Sequence, residues 1–128
     1  MELYYSKETE RPFDEVVEKA REIAKQKGFG VMAVHDLKAS FAKKNLEFTP
    51  YKIVEICNPE FAYKALQKDT NLGLIMPCKI NVYQKGDKVI VTGLLTDILR
   101  NFTSVELGEL PDNVSKLVKE IVDESVKA

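Results

Sequence analysis

Two apolar runs in the second half of the chain, Leu74–Tyr83 and Lys88–Leu95, are separated by Gln84-Lys85-Gly86-Asp87. A short glycine-containing link between two strand-length runs closes a β-hairpin. Hairpin partners are antiparallel, so any sheet built around this pair is antiparallel or mixed. Within the first run Leu74, Met76, Cys78, Ile80 and Val82 alternate with Pro77, Lys79, Asn81 and Tyr83. One set therefore faces a core and the other faces away. The proline inside the run points to an edge position or a bulge.

The rest of the chain alternates strand and helix signals. Residues 2–6 read as a first strand, and Thr9 as the cap of a helix with Pro12 in its first turn. Phe13, Val16, Val17, Ala20, Ile23 and Ala24 make its apolar stripe, and Lys27-Gly28 ends it. Phe29–Val34 is a strand, followed by a short helix, Leu37–Lys44, capped by Asp36 and stopped at Asn45. Pro50 opens a strand, Tyr51–Cys57. Asn58 then caps a helix that begins at Pro59 and turns Phe61, Ala62, Ala65 and Leu66 inward. Asp69–Gly73 reads as a turn. Between 96 and 111, Asp97-Ile98-Leu99 suggests a short helix and Ser104–Leu107 a brief strand, with Gly108 and Pro111 as breaks. Asp112 is the expected cap of a last helix with Val114, Leu117, Val118, Ile121 and Val122 on one stripe.

The order β-α-β-α-β-α-β-β-(short)-α predicts a two-layer α+β fold, an antiparallel or mixed sheet with helices packed on one face. The early strand–helix alternation leaves a flavodoxin-like parallel sheet as the alternative, against which the hairpin weighs. A length of 128 residues fits one domain, residues 1–128.

Charge narrows the function. With 19 basic and 20 acidic residues the net charge is −1, so the basic excess that drives nucleic-acid binding is missing. Lys38, Lys43, Lys44 and Lys52 read as solvated positions on the short helix and on the outer face of the next strand. Tyr4, Tyr5, Tyr51, Tyr63 and Tyr83 are scattered along the chain and do not alternate with basic residues as a single-strand platform would. No run approaches the roughly 18 apolar residues of a membrane span. Two cysteines without an apolar signal region point to free thiols in a reducing, cytoplasmic setting.

Candidate chemistry centres on those thiols. Cys57 precedes a helix cap, where backbone amides and the helix dipole favour a thiolate, with no cation adjacent in sequence and with Glu55 opposing deprotonation if it comes near. Cys78 shares a core face, where burial raises a thiol pKa. His35, the only histidine, ends its strand beside Asp36, which can orient the ring if it is not occupied in capping. His35, Cys57 and Cys78 are three soft ligands, yet no Cys-x-x-Cys or His-x-x-x-His spacing accompanies them, and no metal site is assigned. Three readings follow: a binding domain with its site near the Cys57 and Cys78 strand ends, a redox protein with Cys57 attacking and Cys78 resolving, or a structural domain with both thiols as core filler.

Four segments, Lys27-Gly28-Phe29-Gly30-Val31, His35-Asp36-Leu37-Lys38, Tyr51–Pro59 and Gly73–Tyr83, resemble in that order the domain of unknown function family 302, DUF302. The Cys-Asn-Pro and Pro-Cys segments carry it most specifically. The resemblance implies a compact α+β fold similar to the TATA-binding-protein-like class and a homodimer, and it supplies no activity or cofactor. Its recurring segments fall here on Cys57, Asn58, Pro59, Pro77 and Cys78, which become the candidate binding residues together with His35.

Overall fold

The computed structural model describes residues 2–128. Along them run β1 (Tyr4–Thr9), α1 (Phe13–Gln26), β2 (Gly30–Asp36), α2 (Leu37–Ala42), β3 (Tyr51–Cys57), α3 (Pro59–Lys68), β4 (Cys78–Lys85), β5 (Lys88–Leu94) and α4 (Leu110–Ser125). Turns of 3-10 helix cover Thr70–Ile75 and Thr96–Asn101. The strands form one sheet in the order β1-β5-β4-β3-β2, and every pairing is antiparallel. This is the expected α+β class, and the parallel alternative is excluded. The predicted hairpin, β4–β5, lies at the centre of the sheet and turns through Gly86, whose φ of 63° suits a residue without a Cβ.

Side-chain alternation sorts the sheet into two faces. Val54 and Ile56 of β3, Ile80 and Val82 of β4, and Val89 and Val91 of β5 are all buried on one of them. Against that face pack α1, through Val16, Val17, Ala20, Ile23 and Ala24, and α4, through Val118, Ile121 and Val122. Each of the valines and isoleucines contributes about 1.5–3 kcal/mol when fully buried. Tyr5 ties β1 to α4 by donating its hydroxyl to Asp123 Oδ1 at 2.7 Å, a bond that raises the phenol pKa. No described helix is long and apolar enough to cross a membrane.

Several local expectations give way to tertiary chemistry. Thr9 is the last residue of β1; its hydroxyl accepts from Arg11 N at 3.2 Å, while Pro12 takes the N-cap of α1 with no side-chain cap. The strand expected from Leu74 begins only at Cys78. Asp69 instead caps the turn Thr70–Ile75, accepting from Asn71 N at 2.9 Å, and leaves Leu74 84% exposed while Leu72 enters the core. Pro77 follows a cis Met76–Pro77 bond just ahead of β4, which is an interior strand, so it marks neither an edge nor a bulge. Ser104–Leu107 forms no strand. There the guanidinium of Arg100 donates to Asp97, to both carboxylate oxygens of Asp112 and to the Gly108 carbonyl, and thereby pins an irregular segment. With Asp112 so engaged, α4 starts earlier, at Leu110, with Glu109 at its N-cap and Pro111 in its first turn. Lys52 turns to the helix side opposite Val82, its ammonium 6.0 Å from the centre of the Phe13 ring, and not to the outer face.

Candidate functional site

The face of the sheet turned away from α1 and α4 is built by the residues that alternate with the core positions. Tyr51 lies opposite Tyr83, and Tyr83 opposite Ile90. One step along the strands, His35, Ile53, Asn81, Thr92 and Ser6 line up across all the strands. A further step brings Glu55 opposite Lys79, and Leu94 opposite Tyr4. The middle of this face is an open groove of about 560 Å³, lined by Tyr4, Ser6, Tyr51, Lys79, Asn81, Tyr83, Thr92 and Leu94.

Its floor is polar and its ends are aromatic. Ser6 Oγ donates to Thr92 Oγ1 at 2.7 Å, and Asn81 Nδ2 donates to the Tyr51 hydroxyl at 3.0 Å. The Tyr51 and Tyr83 rings stack with centroids 5.0 Å apart and planes 8° from parallel. Phe48 lies 6.1 Å beyond Tyr51 and meets Phe41 edge-on at 5.1 Å, so the aromatic wall continues into the segment after α2. Asn81 Oδ1 is buried without a partner. Leaving a buried acceptor unsatisfied costs about 1–3 kcal/mol. Turning the amide over does not remove the cost: the oxygen then accepts from Tyr51, and the NH₂ group is the one left unpaired.

The cysteine end of the sheet is separate from this groove's floor. Cys57 closes β3 and Cys78 opens β4, and Cys78 is opposite Ile56, the neighbour of Cys57. The fold thus gathers Cys57, Asn58, Pro59, Pro77 and Cys78 at one end of the β3–β4 pair. The two thiols are free. By alternation their side chains leave opposite faces of the sheet, Cys78 toward the core and Cys57 toward the uncovered side. Burial, with the nearby Cys57 adding to it and Lys79 opposing it, pushes the Cys78 thiol up to about 11. Asn58 is committed to the helix: its Oδ1 accepts from Phe61 N at 3.2 Å, a cap worth about 1 kcal/mol.

His35 does not join the cysteines. It pairs with Ile53, four residues along β3 from Cys57, roughly 13 Å at the rise of a strand. Asp36 is occupied in capping α2, accepting from Ala39 N at 3.0 Å, so the ring is held instead by Glu55, whose Oε1 meets His35 Nε2. Among the described residues no group of three or more His, Cys, Asp and Glu side chains is placed to hold a metal ion.

Sequence reasoning missed the groove. It assigned Lys79, Asn81 and Tyr83 to the non-core face, but the tyrosines looked scattered because the register that stacks Tyr51 on Tyr83 and the β1–β5 pairing that brings Tyr4 alongside are long-range. The detectable signal was the alternation itself, an aromatic and an amide every second residue on a strand whose other face is aliphatic.

Residues 5–125 match the family model described as domain of unknown function DUF302. The crystal structure of an uncharacterized conserved protein DUF302 from Bacillus stearothermophilus is similar to this chain, with a TM-score of 0.90 and 26% identity over 99% of this chain and 100% of that one. A comparison with curated proteins found no match. The family match runs from β1 into the last turn of α4 and takes in both the uncovered sheet face and the cysteine end, so the chain belongs to the DUF302 family.

Proposed function

We propose that this chain is a non-catalytic binding domain that works as a homodimer in a reducing compartment and holds a small molecule on the uncovered face of its sheet. One observation carries the reading: the groove on that face contains a buried amide atom, Asn81 Oδ1, that the protein leaves unpaired. Native structures rarely leave such groups orphaned, and a ligand group is one way to satisfy them. A groove of about 560 Å³ falls within the range of small-molecule sites. Its lining of tyrosines, Asn, Ser, Thr and one Lys suits holding and orienting a ligand. The proposed site runs from the Tyr51–Tyr83 stack over Asn81 and Thr92 to Lys79 and Tyr4, and the strand ends that carry Cys57 and Cys78 are the alternative site.

The test is an amide NMR titration with a mixed set of aromatic, heterocyclic and aliphatic fragments. Binding on this face shifts the Asn81 side-chain amide and the Tyr83 and Thr92 backbone signals. Fragments that leave these signals unmoved overturn the placement, and fragments that gather instead at Cys57 and Cys78 return the site to the strand ends.

A further inference from the structure

Among the described residues, the groove's walls and the one unpaired cation lining it narrow the ligand to a chemical class, an inference that rests on the binding role proposed above. Tyr83 and Tyr4 stand on adjoining sides of the floor. Through β5, which lies between their strands, they sit opposite Ile90 and Leu94, so they face each other diagonally, roughly 13 Å apart along the strands and about 10 Å across them. That span admits one ring or two fused rings lying over Asn81 and Thr92 with an aromatic contact at either side. Tyr4 is 65% exposed, so its ring is at liberty to close against a ligand.

The charge is equally specific. Glu55, the residue opposite Lys79, is engaged with His35. Among the described residues Lys79 makes no ion pair, and it is the only cation lining the groove. A nucleic-acid strand needs a series of cations along its track, which the described lining of this groove does not offer. A single anionic group matches the single ammonium. The unpaired amide oxygen of Asn81 adds a hydrogen-bond acceptor at the floor.

We infer that the uncovered face binds a planar aromatic molecule bearing one anionic group, with the ring over Asn81 and Thr92 between Tyr83 and Tyr4 and the anion on the Lys79 ammonium. The probe is 2-naphthoate, set against 2-naphthol, which keeps the ring system without the carboxylate, and cyclohexanecarboxylate, which keeps the carboxylate without a planar ring. Titrations followed by amide NMR should show 2-naphthoate saturating the Asn81, Tyr83 and Thr92 signals about tenfold more tightly than either comparator. Lys79→Gln, on the solvent side of the sheet, should weaken 2-naphthoate about tenfold and leave 2-naphthol unchanged. Asn81→Leu should weaken all three, with the dispersion of its spectrum reporting whether it folds. Equal binding of the three probes, or no effect of Lys79→Gln, overturns the ligand class while leaving the binding role intact. Failure of every probe together with every fragment overturns both. Concentration-dependent shifts of Asn81 and Thr92 in the free protein, tracking self-association, would assign the face to a second copy and end the proposal.

Discussion

Cys57 and Cys78 are neighbours across two strands, yet alternation sends their side chains to opposite faces of the sheet and so into different surroundings. Cys78 packs against the core, where a thiolate is poorly solvated, and its thiol rises from an ordinary 9.0 to about 11. A shift of that size leaves it roughly a hundredfold less thiolate near neutral pH than an ordinary thiol has. Cys57 leaves the sheet on the uncovered side. Iodoacetamide at pH 8 should therefore modify Cys57 well before Cys78, as read by peptide mass mapping over time. Comparable rates at both would restore the redox reading, in which Cys78 must be reachable as the resolving thiol. The same shift sets a pH dependence. Above pH 9 the unfolded chain releases the Cys78 proton while the folded protein keeps it, so this thiol makes stability fall as pH rises between about 9 and 11. Replacing Cys78 with Ala should remove that part of the alkaline decline.

At the scale of elements, α4 and β5 pack closely at Gly93, where the strand carries no side chain. Gly93 lies beneath Val118 and Val122, and a Cβ placed on it would come within 2.5 Å of Val118 Cγ1 and 3.0 Å of Ile80 Cδ1. These are branched side chains inside the core with nowhere to retreat. Gly93→Ala should cost about 1–3 kcal/mol by overpacking, seen as a lower urea midpoint with an unchanged slope. An unaltered midpoint would mean that α4 does not sit this close. The helix stripes that make this packing were readable from spacing alone, as were the hairpin, Asn58 as a cap and Asp36 as a cap, because each depends on residues a few positions apart. What could not be read depends on distant partners. Leu74 looks like a core strand residue until Asp69 winds the chain into a 3-10 turn, with Thr103 holding the other Asp69 oxygen at 2.7 Å. Asp112 looks like a cap until Arg100 claims it. The groove failed for the same reason, since no local pattern tells which sheet face the helices will leave bare.

For the molecule as a whole, the topology moves the case for self-association to a different surface. An open edge at the hairpin is ruled out, because β4 and β5 are interior and the edges are β1 and β2. Along β2 the register shifts between Val31 and Ala33, and Met32 at that irregularity is 66% exposed. From β2 the chain passes through α2 into an arm, residues 43–50, that leaves Leu46 58% and Phe48 47% exposed. None of the residues of α2 is buried, so this corner contributes little to the protein's own core. Exposed apolar side chains on such an arm mark an interaction surface, and for a chain meeting copies of itself the closed arrangement is a two-fold dimer. Light scattering at micromolar concentration should return twice the 14.5 kDa chain mass. The double substitution Leu46→Asp and Phe48→Asp should bring it to the monomer while the circular dichroism spectrum stays that of the folded protein. A monomeric wild-type protein would end the dimer, and a dimer that survives the two aspartates would move its interface off the arm.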